Sequence, residues 1–221
     1  MSNPSHDLGK IIKDNQMKST LLTKHTILFV IGVVFMSFFF NSCQPESVEE
    51  AKQLSLEEDF KTITKQYNTE TYKISIPKYM EPTEILNPDA QFQFLHLYKE
   101  EYIIVINESK QEFKKVVSKF NEFKNEKTIL NQYSQFQTQF LKQKMNILHQ
   151  SNFEESKINT LNTQHLELLV KLGKIDENIT YFINYIEGEE NLYFVMAWTL
   201  ESKKEVFNEK YKKIIASFIV E

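Results

Sequence analysis

The chain is 221 residues long, 41% hydrophobic, 13% aromatic and 25% charged, enough to bury a core and too short for more than one or two domains. That composition excludes a disordered or collagen-like protein. Its 26 basic and 30 acidic residues fall in short mixed runs and give a formal charge of -4, so there is no basic footprint for nucleic acid. All the basic residues are Lys, and the chain therefore lacks the bidentate guanidinium clamp used on phosphate and carboxylate.

Residues 27–40 (ILFVIGVVFMSFFF) form an apolar run preceded by Lys18, Lys24 and His25. As a helix it covers roughly 21 Å, short of the roughly 30 Å hydrocarbon core, and it reads as the h-region of a signal peptide over residues 1–42, with Met17 as an alternative start. Immediately after it comes Asn41-Ser42-Cys43-Gln44-Pro45, which contains the only cysteine. One cysteine forms no internal disulfide. The stretch resembles a bacterial lipobox, and the resemblance implies that Cys43 receives a diacylglycerol and becomes the first residue of a mature, membrane-anchored protein. Residues 43–69 are then a lipidated tether, acidic at Glu46, Glu49 and Glu50. A non-Asp residue after the cysteine resembles lipoproteins sent to the outer membrane.

Within the tether, Leu56, Phe60, Ile63 and Tyr67 stand at helical spacing behind Ser55-x-x-Glu58, which predicts a helix reaching residue 67. Tyr72 to Ile76 alternates and stops at Pro77, as a strand entering a Pro-rich loop does. Residues 91–98 and 102–106 read as a hairpin around Lys99-Glu100-Glu101. Ser109-x-x-Glu112 opens an amphipathic helix through Phe113, Val116, Val117, Phe120 and Phe123. A second set, Leu130, Tyr133, Phe136, Phe140 and Leu141, continues to about Met145, after a break near Asn125 or as one long helix. Strands follow at 147–153, 163–172, 179–186 and 192–200, with both parities of the last largely apolar, so the sheet centre is covered on both faces. Ser202-x-x-Glu205 opens a closing helix through Val206, Phe207, Tyr211, Ile214, Ile215 and Phe218. This order predicts an α+β fold, an antiparallel sheet with helices on both faces, over residues 70–221.

Tyr72-Lys73-Ile74-Ser75-Ile76-Pro77, Tyr102 to Ile106, Tyr185-Ile186-Glu187-Gly188, Tyr193 to Thr199, Lys203 to Tyr211 and Ile215 to Phe218 resemble the PsbP and Mog-like fold family, to which bacterial envelope lipoproteins of the DcrB kind belong. The resemblance covers about residues 70 to 219. It implies a sandwich of the same architecture and a non-enzymatic module that docks on or stabilises other proteins, with no shared catalytic residue.

The residues themselves offer little chemistry. Two glycines in the mature chain build no phosphate loop, and no nucleophile with a neighbouring base or His-Glu-x-x-His helix exists. His165 and Glu167 share a strand face and, with His96 or His149, are the candidate metal ligands; the alternative is an ordinary outward strand parity. Glu100-Glu101 and Glu189-Glu190 are paired carboxylates, read as solvated turn acids, and Trp198 as a core anchor. No catalytic residue and no cofactor are expected. The leading expectation is a lipid-anchored envelope protein with an envelope protein partner; the alternative is a periplasmic or surface binder of a small ligand or metal.

Overall fold

The structure is a computed structural model that describes residues 59–124, 126–173 and 177–221. The expected signal peptide, Cys43 and most of the expected tether lie outside the described residues. The chain runs β1 Phe60–Tyr67, β2 Glu70–Pro77, β3 Glu81–Pro82, β4 Phe92–His96, β5 Glu101–Ser109, α1 Lys110–Val117, α2 Ile129–Lys144, β6 Asn146–Gln150, β7 Glu154–Ile158, β8 Leu161–Lys171, β9 Asn178–Glu187, β10 Asn191–Leu200, α3 Lys204–Ala216 and β11 Ile219–Val220. Strands β3-β4-β5-β10-β9-β8-β6 form the path of a large sheet, with β7 also paired to β8, and β1-β2-β11 form a smaller sheet. Every pairing is antiparallel.

Strand parity divides the interior into two cores. Ile104, Ile106, Leu166, Leu168, Ile183, Tyr185 and Phe194 face Phe113 of α1 and Leu130, Tyr133, Phe136 and Leu141 of α2. Ile103, Val105, Phe182, Ile186, Tyr193 and Val195 face Phe207, Tyr211 and Ile214 of α3 together with Tyr72, Ile74 and Ile76 of β2. Helices therefore lie on both faces of an antiparallel sheet, as the sequence predicts, and the small sheet shares one face with α3. Residues 191–197 of β10 are buried on both parities, which is why its sequence shows no polar side.

Several expectations are corrected. Residues 60–67 are strand β1, paired along their length with β2, and not the end of a helix. Ile63, Lys65 and Tyr67 are half-buried while Thr62, Thr64 and Gln66 are exposed, a period of two that Lys65 disguises in the sequence. The strand takes these tether residues into the fold. Ser109 does stand at the N-cap of α1 but makes no side-chain cap bond. The helix ends at Val117, and Phe120 and Phe123 reach the core around a 3-10 turn at Asn121–Phe123. Thr128, overlooked in the sequence, caps α2 by accepting from the Asn131 amide at 3.1 Å. At α3 the Ser202–Glu205 box does not form; a 3-10 turn, Glu201–Lys203, precedes the helix.

Two buried polar groups hold the loops that frame the sheet. Glu70, 6% exposed, accepts from the Glu190 amide at 2.5 Å, Asn191 Nδ2 at 2.9 Å and the Tyr193 hydroxyl at 2.6 Å. These bonds outweigh its burial and hold its carboxyl below the usual range. Gly188 packs so closely here that a Cβ would stand 2.8 Å from Glu70 Oε2 and 2.9 Å from the Tyr193 ring, so a side chain at this position would have to displace them. Gln93 fixes the loop before β4: its Oε1 accepts from the amides of Leu86 and Asn87 at 3.0 and 2.9 Å, and its Nε2 donates to the carbonyls of Asn87 and Ala90 at 2.5 and 2.8 Å. Gln93→Ala should cost about 2–4 kcal/mol, since each bond is worth about 1 kcal/mol and the loop groups lose their partner. Urea denaturation reads the loss, and an unchanged midpoint would show that water replaces the amide.

Candidate functional site at the hairpin end of the sheet

The β4–β5 turn, residues 97–100, closes through the Glu100 amide on the Leu97 carbonyl at 3.1 Å, with Glu100 in the left-handed region at φ 56°. That twist ends the turn one residue before Glu101. Glu101 then has the parity of Ile103 and Val105 and turns under α3. It is 5% exposed; Lys210 Nζ of α3 pairs with it at 2.7 Å, and the Tyr79 hydroxyl donates to it. Only Glu100 keeps the half-open turn position, paired with Lys203 at 2.9 Å. The expectation that both acids are solvated is corrected for Glu101. Glu189 and Glu190, by contrast, are exposed turn residues.

Aromatic and cationic groups collect around this pair. The Tyr79 ring lies under Lys99 Nζ at 4.8 Å and Lys210 Nζ at 5.5 Å, a placement that the ring's negative face favours. His96 meets Tyr79 edge-on at 5.1 Å and Tyr98 at 6.2 Å, and its Nδ1 accepts from the Lys99 amide at 3.1 Å. Beyond the turn, Leu97 and Tyr98 point into solvent.

The candidate metal ligands are not brought together. His165 and Glu167 do share a face of β8, 3.8 Å apart, but that face lies under α3, and Lys204 holds Glu167 at 2.7 Å. The His165 imidazole and the Lys204 ammonium draw the Glu167 carboxyl down to about 2. Four strand spacings, from β4 across β5, β10 and β9 to β8, separate His96 from His165, roughly 19 Å. They also differ in level: His165 lies in register with Asn184, Val195, Val105 and Phe92, while His96 pairs with Glu101. His149 is on β6, the neighbour of β8, where it pairs with Leu169 two residues beyond Glu167 and is exposed. Among the described residues no three His, Cys, Asp or Glu side chains gather as a metal site.

Trp198 is half-buried and stacks between Tyr102 at 5.3 Å and Tyr181 at 5.7 Å, an aromatic row across β5, β10 and β9. Glu108 has the parity of Ile104 and Ile106 and lies under α2, where Gln137 Nε2 donates to it at 3.4 Å. Burial raises its carboxyl to about 7, and the fully buried Tyr133 beside it is pushed up by burial and by that carboxylate.

A groove of about 700 Å³ runs along the β3–β4 edge of the large sheet. One wall is Ile63 and Lys65 of β1, the terminal strand of the small sheet; the other is Pro82 of β3, the terminal strand of the large one, followed by Thr83 and Glu84. Phe94 and Ala90 supply apolar surface. Next in the chain to Glu84, Ile85 is 74% exposed. The arrangement offers surfaces to bind with.

Comparison with known protein families finds no match, and neither does comparison with curated proteins. Among solved structures, the chain is similar to the Ran-binding protein Mog1p of Saccharomyces cerevisiae, at 11% identity and TM-score 0.48 over 74% of this chain and 96% of that one. It is similar to cyanobacterial PsbP (CyanoP) from Synechocystis sp. PCC 6803, at 13% identity and TM-score 0.49 over 82% and 98%. It is also similar to LpqN, involved in cell envelope biogenesis of Mycobacterium tuberculosis, at 8% identity and TM-score 0.45 over 79% and 97%.

Proposed function

We propose that the protein is a non-enzymatic, lipid-anchored module of the cell envelope, held by Cys43 in the outer membrane, that docks a partner protein. The observation that carries the docking is the groove with a terminal strand on each wall. A terminal strand leaves one row of backbone N–H and C=O groups unpaired, and an extended segment of a partner satisfies them while its side chains use the apolar surface between. Pro82 on β3 blunts that wall, which leaves β1 as the pairing edge.

The anchor is supported by Cys43 at the end of the short apolar run. Among the described residues no helix is long and apolar enough to cross a membrane. Two or more acyl chains hold a protein stably where one is marginal. Cys43→Ser should move the protein from the membrane fraction to the soluble one; persistence in carbonate-washed membranes refutes lipidation. For the docking, a photo-crosslinking residue at exposed Gln91, beside the groove, should capture one discrete envelope protein in cells, while the same residue at Leu148 on β6 should not. Equal or absent capture at the two positions overturns the docking groove without touching the anchor.

A further inference from the structure

Among the described residues, Leu97 is 47% exposed, Tyr98 93% and Val206 64%, and these three share one end of the molecule. Leu97 and Tyr98 form the tip of the β4–β5 turn. Val206 stands on α3 between Lys203 and Lys210, three and four residues away on neighbouring helical positions, and both lysines reach that hairpin: Lys203 to Glu100 at 2.9 Å and Lys210 to Glu101 at 2.7 Å.

The chain enters the fold at the same end. The Lys78 amide donates to the Asp59 carbonyl at 2.8 Å, and the Lys78 ammonium pairs with the Asp59 carboxylate at 2.9 Å. The next residue, Tyr79, meets His96, and His96 meets Tyr98. The β1–β2 and β9–β10 turns lie at the opposite end, where Asn68 Nδ2 donates to Asn191 Oδ1 at 3.2 Å. Both carboxylates of the hairpin are ion-paired, so its tip offers anionic headgroups no bare negative charge, and Lys99 stands beside it.

We propose that this end is a membrane seat: Tyr98, Leu97 and Val206 enter the headgroup layer of the bilayer that holds the anchor, with the ammonium group of Lys99 at phosphate level and the Lys203–Glu100 pair beside it. The inference rests on the lipid-anchor reading. A convex tip with a fully presented tyrosine and an adjacent aliphatic residue fits a deformable interface, where tyrosine rings settle at headgroup depth and lysine stems lie along apolar surface. Seating one end also adds a second membrane contact to the acyl anchor and fixes which way the domain points.

The test uses the full lipidated chain reconstituted in vesicles of phosphatidylethanolamine and phosphatidylglycerol. Tyr98→Cys, and separately Glu189→Cys at the opposite end, are labelled with an environment-sensitive thiol fluorophore, and nitroxide-bearing lipids are added as quenchers. The wild-type chain, its one thiol acylated, should take up no label; the label at position 98 should be blue-shifted and quenched, and that at 189 neither. Vesicle-bound protein whose two labels respond alike overturns the seat and leaves the anchor standing. Labelling of the wild-type chain at Cys43 overturns the anchor, and the seat with it.

Discussion

Lys210→Met should destabilise the fold by about 3 kcal/mol, because it strips a buried carboxylate of its counter-ion. Glu101 is 5% exposed, the Lys210 side chain is 14% exposed, and 2.7 Å separates them. Methionine keeps most of the lysine stem, so the loss reads the charge and not the packing. The Tyr79 hydroxyl still donates to Glu101, which keeps the cost at the lower end of the roughly 3–5 kcal/mol seen when one partner of a buried pair is removed. Adding Glu101→Leu should return most of it, since an apolar pair of similar volume carries no desolvation penalty. Urea denaturation of the two variants measures both steps. A loss below about 1 kcal/mol for the single variant would put the pair among solvent-screened surface bridges.

That pair ties α3 to the base of β5, and through Tyr79 to the turn after β2. The hairpin tip that carries Leu97 and Tyr98 is thus fixed at its base and free at its end. A surface that must meet a bilayer or a partner in one orientation needs this combination, because ordering a loose tip on contact would consume part of the binding energy.

Alternation and helical spacing made most of this architecture legible. Both parities of 192–200 are apolar, which foretold a strand covered on two faces, and Leu166, Leu168 and Val170 already marked the inward face of β8. The failures have local causes. At residues 60–67 the apolar positions Phe60, Ile63 and Tyr67 satisfy helical spacing, and only the pairing with β2 decides against it. The two-residue strands β3 and β11, and the polar β7, exist because longer neighbours offer them a partner. No local pattern announces them. Glu101 was hidden by its neighbour: two acids in a turn look alike until the backbone sign change at Glu100 assigns one to solvent and the other to the core. Its parity with Ile103 and Val105, and Lys210 among Phe207, Tyr211 and Ile214, were the signals. His96 and His165 are kept apart for a topological reason, since the strand order that separates β4 from β8 is not contained in either segment.

Glu108 should make stability fall as pH rises through neutrality, and Glu108→Gln should abolish that fall. Its parity continues Ile104 and Ile106 to the half-buried margin of the core under α2, where Gln137 Nε2 donates to it at 3.4 Å. Its charge raises the hydroxyls of Tyr133 on α2 and Tyr67 on β1, and neither is a cation that could offset it. Burial lifts its carboxyl from 4.5 in the unfolded chain to about 7. The folded state thus binds the proton more tightly than the unfolded one, so the stabilisation is complete below about pH 4.5 and is lost as pH rises through about 7. At about 1.4 kcal/mol per pH unit, the full excursion is about 3 kcal/mol. Glu70 and Glu167, held below their ordinary range, act in the opposite sense and at lower pH, so the two effects separate on the pH axis. In parallel urea titrations, the stability of Glu108→Gln relative to wild type should climb by about 2–3 kcal/mol between about pH 5 and pH 8. A difference that stays flat over that interval would mean that Glu108, half-buried as it stands, ionises in contact with water.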